Sequence, residues 1–321
     1  MFTKKILPLF LLASLLLAAC GGSAPAEGSG LKVVASTTIV GDVVAQVGGD
    51  LIQLTVLFPP GADPHTFEPR PQDLAALSEA QVVVINGMDL EEALEPALEA
   101  NVTGTIIHAS EGIEVLAFEG EEHEGEEHEG EEHESEEHEG EEHHHEGGDP
   151  HTWTDPNNVI VWAQTIAAAL AEADPANAKA YQANADAYVA ALTELDGWIH
   201  AQVEQIPAER RKLVTDHRAF GYFVDEYGLE QAGALVGSFS TNAAPSAQEL
   251  AALEDKIKEQ GVPAVFVGKT VNPELSEQVA QDTGVKLVYV YTGSLSEPGG
   301  EADSYIEFMR YNVDAIVEAL K

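Results

Sequence analysis

Short runs of β-branched and aliphatic residues alternate along the chain with longer stretches whose apolar residues recur every three or four positions. The first pattern predicts buried strands, and the second predicts amphipathic helices. Four such runs lie in the first part of the chain, at Leu31–Thr38, Ile52–Phe58, Val82–Met88 and Thr105–Ala109. Four more lie in the last part, at Lys212–Thr215, Gln231–Leu235, Ala264–Gly268 and Lys286–Tyr291. Strands that alternate with helices predict two doubly wound α/β lobes, each built on a parallel sheet.

Helical patterns fill the segments between these strands. In the first lobe the predicted helices are Val40–Val47, Pro71–Ala80 and Leu90–Ala100, followed by Asn157–Ala173. In the second lobe they are Phe220–Tyr227, Ser246–Gln260, Asn272–Thr283 and Asp303–Leu320. In a sheet of this class a ligand site lies outside the carboxyl ends of the strands, so the loops after the strands are where chemistry is expected.

One much longer helix is predicted between the two sets of strands, over Pro175–Ile206. Asp174 is its predicted N-cap, Pro175 suits its first position, and Pro207 marks its end. Its apolar residues form one continuous stripe, namely Tyr181, Ala185, Tyr188, Leu192, Leu195, Ile199, Val203 and Ile206. At a rise of about 1.5 Å per residue it spans roughly 45–48 Å, longer than one small lobe. We therefore expect residues 175–207 to link an N-terminal lobe (31–174) to a C-terminal lobe (208–321).

The N-terminus predicts the compartment. Met1–Lys5 carries two lysines, Ile6–Leu17 is almost wholly apolar, and small residues lead to Cys20, the single cysteine of the chain. This order is typical of a secretory signal, and its apolar stretch is too short for a membrane span. A lone cysteine at this point resembles a bacterial lipobox, in which the thiol is lipid-modified, with residues 21–30 as a flexible tether. We expect an exported protein, lipid-anchored on the outer face of the cytoplasmic membrane or in the periplasm.

The net charge of the chain limits the kinds of partner that it can bind. The formal net charge is −41, and 16 of the 56 acidic residues lie between Glu119 and Glu146. Phosphate binding needs the opposite sign, which excludes nucleic acid as a natural partner. A surface this acidic attracts cations. With 44% hydrophobic residues the chain can bury a real core, and it is expected to act as a monomer.

Isolated histidines supply the candidate chemistry. The tetrapeptide Asp-Pro-His-Thr occurs at Asp63–Thr66 and at Asp149–Thr152, and a third histidine, His217, lies in Thr-Asp-His-Arg-Ala-Phe. Neutral imidazole is the commonest protein ligand for transition metals, and histidines on loops at strand ends can converge on one point. His65, His151 and His217 are therefore the candidate ligands, and the chain is interpreted first as a metal binder.

Other residues near these motifs have simpler interpretations. His108 and His200 are expected to be packing or surface residues. Asp63 and Asp149 precede proline, so they are expected to form turns, with a role as hydrogen-bond partners of the ligands as the alternative. Trp153 is expected to be a core or lobe-interface residue.

A low-complexity insertion occupies residues 119–148. Its Glu-Glu-His-Glu-Gly repeat carries seven histidines, namely His123, His128, His133, His138, His143, His144 and His145. Such an acidic, glycine-punctuated segment cannot bury enough apolar surface to fold alone. It is interpreted as an auxiliary collector or sensor of metal ions, with a solvated loop of incidental histidines as the alternative.

Four motifs carry a resemblance to a known family. They are Gly61-Ala62-Asp63-Pro64-His65-Thr66-Phe67-Glu68-Pro69, Asp149-Pro150-His151-Thr152-Trp153-Thr154-Asp155-Pro156, Thr215-Asp216-His217-Arg218-Ala219-Phe220-Gly221-Tyr222, and Asp303-Ser304-Tyr305 with Met309-Arg310-Tyr311-Asn312. In these motifs the chain resembles the zinc/manganese-binding solute-binding lipoproteins of ABC importers, of the cluster A-I, high-affinity zinc-uptake type. The resemblance implies two α/β lobes joined by one long helix, with the metal at the lobe interface. It also implies His65 and His151 as ligands from the first lobe and His217 from the second. Histidine at position 217 implies Zn²⁺ as the ligand, with Mn²⁺ less favoured.

One position departs from the family pattern. The family often supplies an aspartate as fourth ligand in a Thr-Asp-Ser segment, whereas Gly293 stands there in Thr292-Gly293-Ser294. The fourth position is therefore open to water, to a nearby acid such as Glu297, or to a histidine of the insertion.

Two classes of function remain open at this point. The first is the extracytoplasmic binding component of an ABC importer, which captures a metal ion, delivers it to a permease and its ATPase, and is not an enzyme. The second is a zinc-dependent hydrolase, because three histidines with one open position also hold catalytic zinc. A metal buffer or chaperone without a permease is a further alternative. The chain contains no His-Glu-x-x-His motif, which favours the importer.

Overall fold

The computed structural model of the protein describes residues 30–116 and 148–321. Cys20 with the predicted signal, and all seven histidines of the insertion, lie outside the described residues, so the roles given to them stay predictions. Within the two described ranges, no helix combines the length and the apolar character that crossing a bilayer requires.

The first lobe is built on a parallel sheet with the strand order β2-β1-β3-β4. Its strands are β1 (Leu31–Ala35), β2 (Ile52–Val56), β3 (Val82–Ile85) and β4 (Thr105–His108). Each begins at the predicted residue and ends one to three residues earlier than predicted, because the last residues of each apolar run already belong to the following loop. All four residues of β3 are buried, as expected for a strand covered on both faces.

Helices cover both faces of this sheet. They are α1 (Thr38–Gly48), α2 (Pro71–Glu79) and α3 (Glu95–Asn101). Successive strand residues point to opposite faces, so Val33 packs in the cluster that contains α1, and Val34 packs in the cluster that contains α2 and α3. The predicted helix Leu90–Ala100 begins only at Glu95, where Pro96 supplies the fixed φ that suits a first helical turn.

Two longer helices follow, α4 (Pro156–Ala173) and α5 (Ala178–Val203). The structure begins α5 three residues later than predicted, because Asp174 does not cap it. The Asp174 backbone N–H completes α4, and its carboxylate accepts hydrogen bonds from Asn177 Nδ2 at 2.7 Å and Tyr181 Oη at 3.0 Å. The helix has 26 residues and is therefore about 39 Å long.

The second lobe repeats the plan of the first, with the parallel strand order β6-β5-β7-β8. Its strands are β5 (Lys212–Thr215), β6 (Glu230–Ala234), β7 (Ala264–Gly268) and β8 (Lys286–Val290). Its helices are α6 (Gly221–Tyr227), α7 (Ala247–Gln260), α8 (Glu274–Thr283) and α9 (Tyr305–Leu320). Ser246 caps α7 in a capping box with Glu249, since a serine followed three residues later by a glutamate favours this arrangement at the start of a helix. The predicted fold class, two doubly wound α/β lobes, is confirmed.

One apolar core runs through both lobes. It contains inward-facing residues of both sheets, such as Val33 and Phe266, together with Trp162 of α4, Leu192 of α5 and Val313 of α9. The outer face of each sheet has a smaller core of its own under α2 and α3 or under α7 and α8. The long helix therefore packs along both lobes and is not an isolated connector.

Candidate metal centre

Three loops at the carboxyl ends of strands bring the candidate ligands together. His65 follows β2, His151 precedes α4 in the connection that begins after β4, and His217 follows β5. The ring centroids lie 5.2 Å (His65–His151), 5.7 Å (His65–His217) and 5.1 Å (His151–His217) apart. One nitrogen from each ring lies within 4.8 Å of the other two. Residues far apart in sequence thus form one compact imidazole triad.

The spacing suits a shared metal ion. His65 Nε2 and His151 Nε2 lie 3.2 Å apart. Two nitrogens bound to one tetrahedral zinc at 2.0–2.1 Å would lie about 3.3 Å apart. His151 and His217 are 1% and 3% exposed, whereas His65 is partly exposed. Two of the three rings are therefore held inside the protein, and the third, that of His65, is partly exposed to solvent.

The ring of His151 is oriented by the aspartate two residues before it. Asp149 Oδ1 accepts hydrogen bonds from His151 Nδ1 at 2.7 Å and from the His151 backbone N–H at 2.9 Å. A donor at Nδ1 leaves the lone pair of Nε2 free toward the centre of the triad. Asp149 was expected to form a turn, and it also takes the alternative role of a hydrogen-bond partner. Gly221 makes room for it, since a Cβ at that residue would lie 2.2 Å from Asp149 Oδ2.

His217 has the same kind of partner. Asp216 Oδ1 accepts from His217 Nδ1 at 2.7 Å, and Asp216 Oδ2 accepts from the Gly268 backbone N–H at 2.6 Å. Sequence reasoning did not single out Asp216. The signal was present, because an aspartate beside a histidine at a strand end can reach Nδ1, but such a pair is common on surfaces without any role.

The backbone behind His151 is fixed by buried polar groups. Asn86 Nδ2, at the end of β3, donates to the Pro150 carbonyl at 3.0 Å. The carboxylate of Glu91 in turn accepts from the Asn86 backbone N–H at 2.7 Å. Burial raises the pKa of Glu91. A buried polar network is costly unless its members are paired, and here it holds the His151 loop against the first sheet.

The three imidazoles differ in their affinity for a proton. Burial, with repulsion from His151 and His217, lowers the pKa of His65 to about 2. Burial also lowers the pKa of His151, although Asp149 opposes it. Burial would lower the pKa of His217 as well, but the carboxylates around it, Asp216 first, raise it above its ordinary value. Two rings thus favour the neutral form that binds a metal, whereas the raised pKa of His217 favours the protonated form, from which an arriving cation would displace a proton.

Hydrogen bonds tie the two lobes together around the triad. Each joins a group from before α4 to a group from beyond α5. The pairs are Trp153 Nε1 to the Thr292 carbonyl (2.9 Å), Tyr305 Oη to the Trp153 carbonyl (2.7 Å), Tyr222 Oη to the Asp149 carbonyl (3.0 Å), the Gly61 N–H to Ser294 Oγ (2.8 Å) and Thr241 Oγ1 to Asp63 Oδ2 (2.7 Å). The site therefore lies at the interface between the lobes, where Trp153 was expected.

The fourth position was left open by the sequence to water, to Glu297 or to a histidine of the insertion, because Gly293 offers no side chain. A Cβ at Gly293 would lie 2.6 Å from Pro64 Cδ, so the ring of Pro64 fills the space beside it. Glu297 is exposed. Among residues 30–116 and 148–321, the group around the triad with mutually close ligand atoms contains the three histidines alone. Glu297 is thus not brought into the triad.

The other histidines of the described ranges lie apart from the triad. His200 has a 46% exposed side chain and packs against the ring of Tyr227, with Asp196 and Glu226 within 4 Å. His108 is exposed beside Gly87. Neither joins the triad.

Known proteins are similar to this chain along nearly its whole length. A family model described as the periplasmic component A of a zinc-uptake complex, ZnuA, matches residues 33–319. The manganese-binding lipoprotein MntA of Halalkalibacterium halodurans is 34% identical over 311 residues, which cover 96% of this chain and 95% of that protein. The manganese ABC transporter substrate-binding lipoprotein PsaA of Streptococcus pneumoniae is 33% identical over 324 residues, which cover 98% of this chain and 97% of that protein.

Solved structures share the fold. The periplasmic zinc-binding protein TroA from Treponema pallidum superposes with a TM-score of 0.79 at 24% identity, over 91% of this chain and 99% of that one. A cadmium-bound periplasmic metal-binding protein from Candidatus Liberibacter asiaticus superposes with a TM-score of 0.75 at 24% identity, over 90% of this chain and 100% of that one. At this identity the likeness establishes the two-lobed architecture.

Proposed function

We propose a function from the premise that this chain belongs to the family of periplasmic zinc-uptake complex component A, whose model matches residues 33–319. The protein is the metal-binding, substrate-binding component of an ABC importer, and it acts outside the cytoplasm. The observation that carries this proposal is the convergence of three histidine nitrogens from three separate loops within 4.8 Å of one another.

The proposed ligands are His65, His151 and His217. Each offers a neutral imidazole nitrogen to one divalent ion, once His217 has lost its proton. Asp149 and Asp216 hold the two buried rings by their Nδ1 atoms. Their two negative charges balance the charge of a divalent cation in a site with little water, which favours a divalent ion over a monovalent one.

We propose zinc as the ion, with manganese as a weaker competitor. MntA and PsaA are named for manganese, whereas the family description and TroA name zinc. The donor set supports zinc for this chain, because a site of imidazole nitrogens without a carboxylate suits zinc better than the harder manganese ion. The fourth position is proposed to hold an exchangeable water, since the Pro64 ring lies beside Gly293.

The partners proposed are a membrane permease and its ATPase. The relatives named as lipoproteins support attachment to the membrane by a lipid on Cys20. Two or more acyl chains would hold the protein there stably. We also propose that the seven histidines of the insertion collect zinc weakly near the site, so that deletion of residues 121–145 lowers the zinc stoichiometry and leaves one tight site.

Competitive zinc and manganese titrations against chelators of known affinity test the proposal. The wild-type chain and the loop-deleted chain are each compared with H65A, H151A and H217A, and H200A serves as the control because His200 lies outside the triad. We expect one tight zinc site that each triad substitution weakens and H200A leaves unchanged. A tight site that survives all three triad substitutions in the loop-deleted chain would refute the ligand assignment.

The same samples separate transport from catalysis. We propose that the protein makes and breaks no covalent bond, so ester hydrolysis and the hydration of carbon dioxide by the zinc-loaded chain should stay at the rate of the buffer. Turnover that disappears in H217A would instead assign the open metal position to a metalloenzyme.

A further inference from the structure

A cavity of about 290 Å³ adjoins the triad on the side of the second lobe and is partly open to solvent. Its lining residues include the buried His217 and Asp216 and the partly buried Asp63. Its walls come from the loop after β2, the ends of β5 and β6, and the segment between β7 and α8. The cavity thus connects the exterior with one of the proposed ligands.

The lining suits a cation that still carries its water. Thr66, Thr241 and Thr270 are among the lining residues, beside the apolar Leu235, Val236, Val271 and Leu275. Hydroxyl and carboxylate oxygens accept hydrogen bonds from metal-bound water. One water takes about 30 Å³ of liquid, so a first shell of six occupies roughly 180 Å³, which this cavity can contain. The ligand class that fits is a hydrated divalent ion.

Packing closes the triad on the side of His151. The ring of Trp153 lies 5.2 Å from that of His151, and it is fixed across the lobe interface by its bond to the Thr292 carbonyl. Tyr222 Oη covers the backbone of Asp149. The cavity reaches the triad on the side of His217 and of the loop that carries His65.

The lining of the cavity also carries the charge that would draw a cation inward. Asp63 and Asp216 both line it. Asp63 Oδ2 accepts a hydrogen bond from Thr241 Oγ1 at 2.7 Å, which joins the loop after β6 to the loop of His65. An arriving ion would meet these carboxylates in the same cavity as the ring of His217.

We propose that this cavity is an entry vestibule in which a hydrated divalent cation is held by outer-sphere contacts before it sheds water onto the three histidines. The inference rests on the proposed function and adds the route that the ion takes. It makes a kinetic prediction, because a charge placed at the mouth of a vestibule changes the rate of arrival of a divalent ion.

Asn272 offers a test position, since it is exposed and lines the cavity. Zinc association is followed by stopped-flow tryptophan fluorescence at physiological salt, about 0.15 M, in the full chain, with N272K, N272D and the neutral control N272S. Gln278→Lys is the matched control, because it adds the same charge to an exposed site on α8 that does not line the cavity. Its effect on an ion in the vestibule should be weaker, since charges beyond about 8 Å are screened at physiological salt.

We expect N272K to slow association on the order of fivefold and N272D to speed it, with N272S and Q278K close to wild type. Equal association rates for N272K and Q278K would overturn the vestibule. Equilibrium titration of the same samples keeps the two proposals apart. If zinc binds all variants tightly and associates with all of them at the same rate, the vestibule proposal is refuted and the proposed function is not. A wild-type chain that binds no zinc overturns the proposed function as well.

Discussion

The site has two buried arms, each a histidine with its aspartate partner, which share the same hydrogen-bond geometry but differ in the direction of the histidine pKa shift. In each, a carboxylate oxygen lies 2.7 Å from the Nδ1 of its histidine, Asp149 with His151 and Asp216 with His217. Yet the pKa of His151 is lowered and the pKa of His217 is raised. Burial dominates at His151, whereas the carboxylates of Asp216, Asp63 and Asp149 together outweigh burial at His217. The number of carboxylates around a buried imidazole, and not the nearest one alone, decides its protonation.

Removal of a proposed ligand is expected to lower zinc affinity more than any other substitution. We expect H151A and H217A each to weaken zinc binding by more than the ~100-fold that loss of a hydrogen-bond partner of a ligand gives. Chelator competition in the loop-deleted chain measures this, and H200A is the control. Retention of affinity within tenfold of wild type in either variant would contradict a shared ion.

Removal of the carboxylate partners comes next. D149N and D216N each keep an oxygen that can accept from Nδ1, but they lose the negative charge. We expect each to lower zinc affinity by about 10–100-fold, because a charged partner raises the basicity of the ligand ring and fixes its orientation. Circular dichroism checks that both variants fold. Unchanged affinity in both would mean that the carboxylates serve only the local turns.

The pH dependence of zinc affinity separates the two arms directly. Zinc binds the neutral ring, so affinity should fall as pH falls through the raised pKa of His217, by about tenfold per pH unit below it. His65, whose pKa is lowered to about 2, stays neutral throughout. Titration between pH 5 and 8, with proton release measured by calorimetry in buffers of different ionisation enthalpy, should detect a release that rises toward one proton per zinc as the pH falls. Release of none would show that His217 is already neutral in the metal-free protein.

The smallest effect is expected at Asp63, which raises the pKa of His217 from a greater distance than Asp216 does. D63N should shift the onset of the pH dependence to lower pH, and by less than D216N does, because Asp216 contributes more to the raised pKa. T241V, which removes the hydroxyl donor and keeps the Asp63 carboxylate, serves as the control for the Thr241 bond to Asp63. A D63N shift larger than that of D216N would reverse the order of the two contributions.

Much of the fold follows from local patterns in the sequence. The strands begin at or within one residue of their predicted positions, because buried parallel strands are continuous apolar runs bounded by polar loops. The start of α5 was predicted wrongly, since the Asp174 carboxylate binds Asn177 and Tyr181 and its backbone N–H ends α4, so that it does not cap α5. A cap and a turn use the same residue types, so their choice depends on contacts that the sequence does not display.

The site was predictable in part for a similar reason. The repeated Asp-Pro-His-Thr motif marks His65 and His151, and the strand before His217 places it at the same edge of its lobe. That all three reach one point depends on how two lobes meet, which no local pattern encodes. Asp216 and the contact of Gly293 with Pro64 belong to that tertiary geometry and were not foreseen.

The continuous core beneath both sheets has a consequence for how the protein unfolds. Neither half could be cut free without laying bare the apolar faces that α4, α5 and α9 now cover. Residues 30–116 and 148–321 should therefore melt as one cooperative unit, in a single calorimetric peak. A zinc ion seated at the junction would then raise the midpoint for the entire body, because a ligand bound to the native state alone shifts the whole unfolding equilibrium.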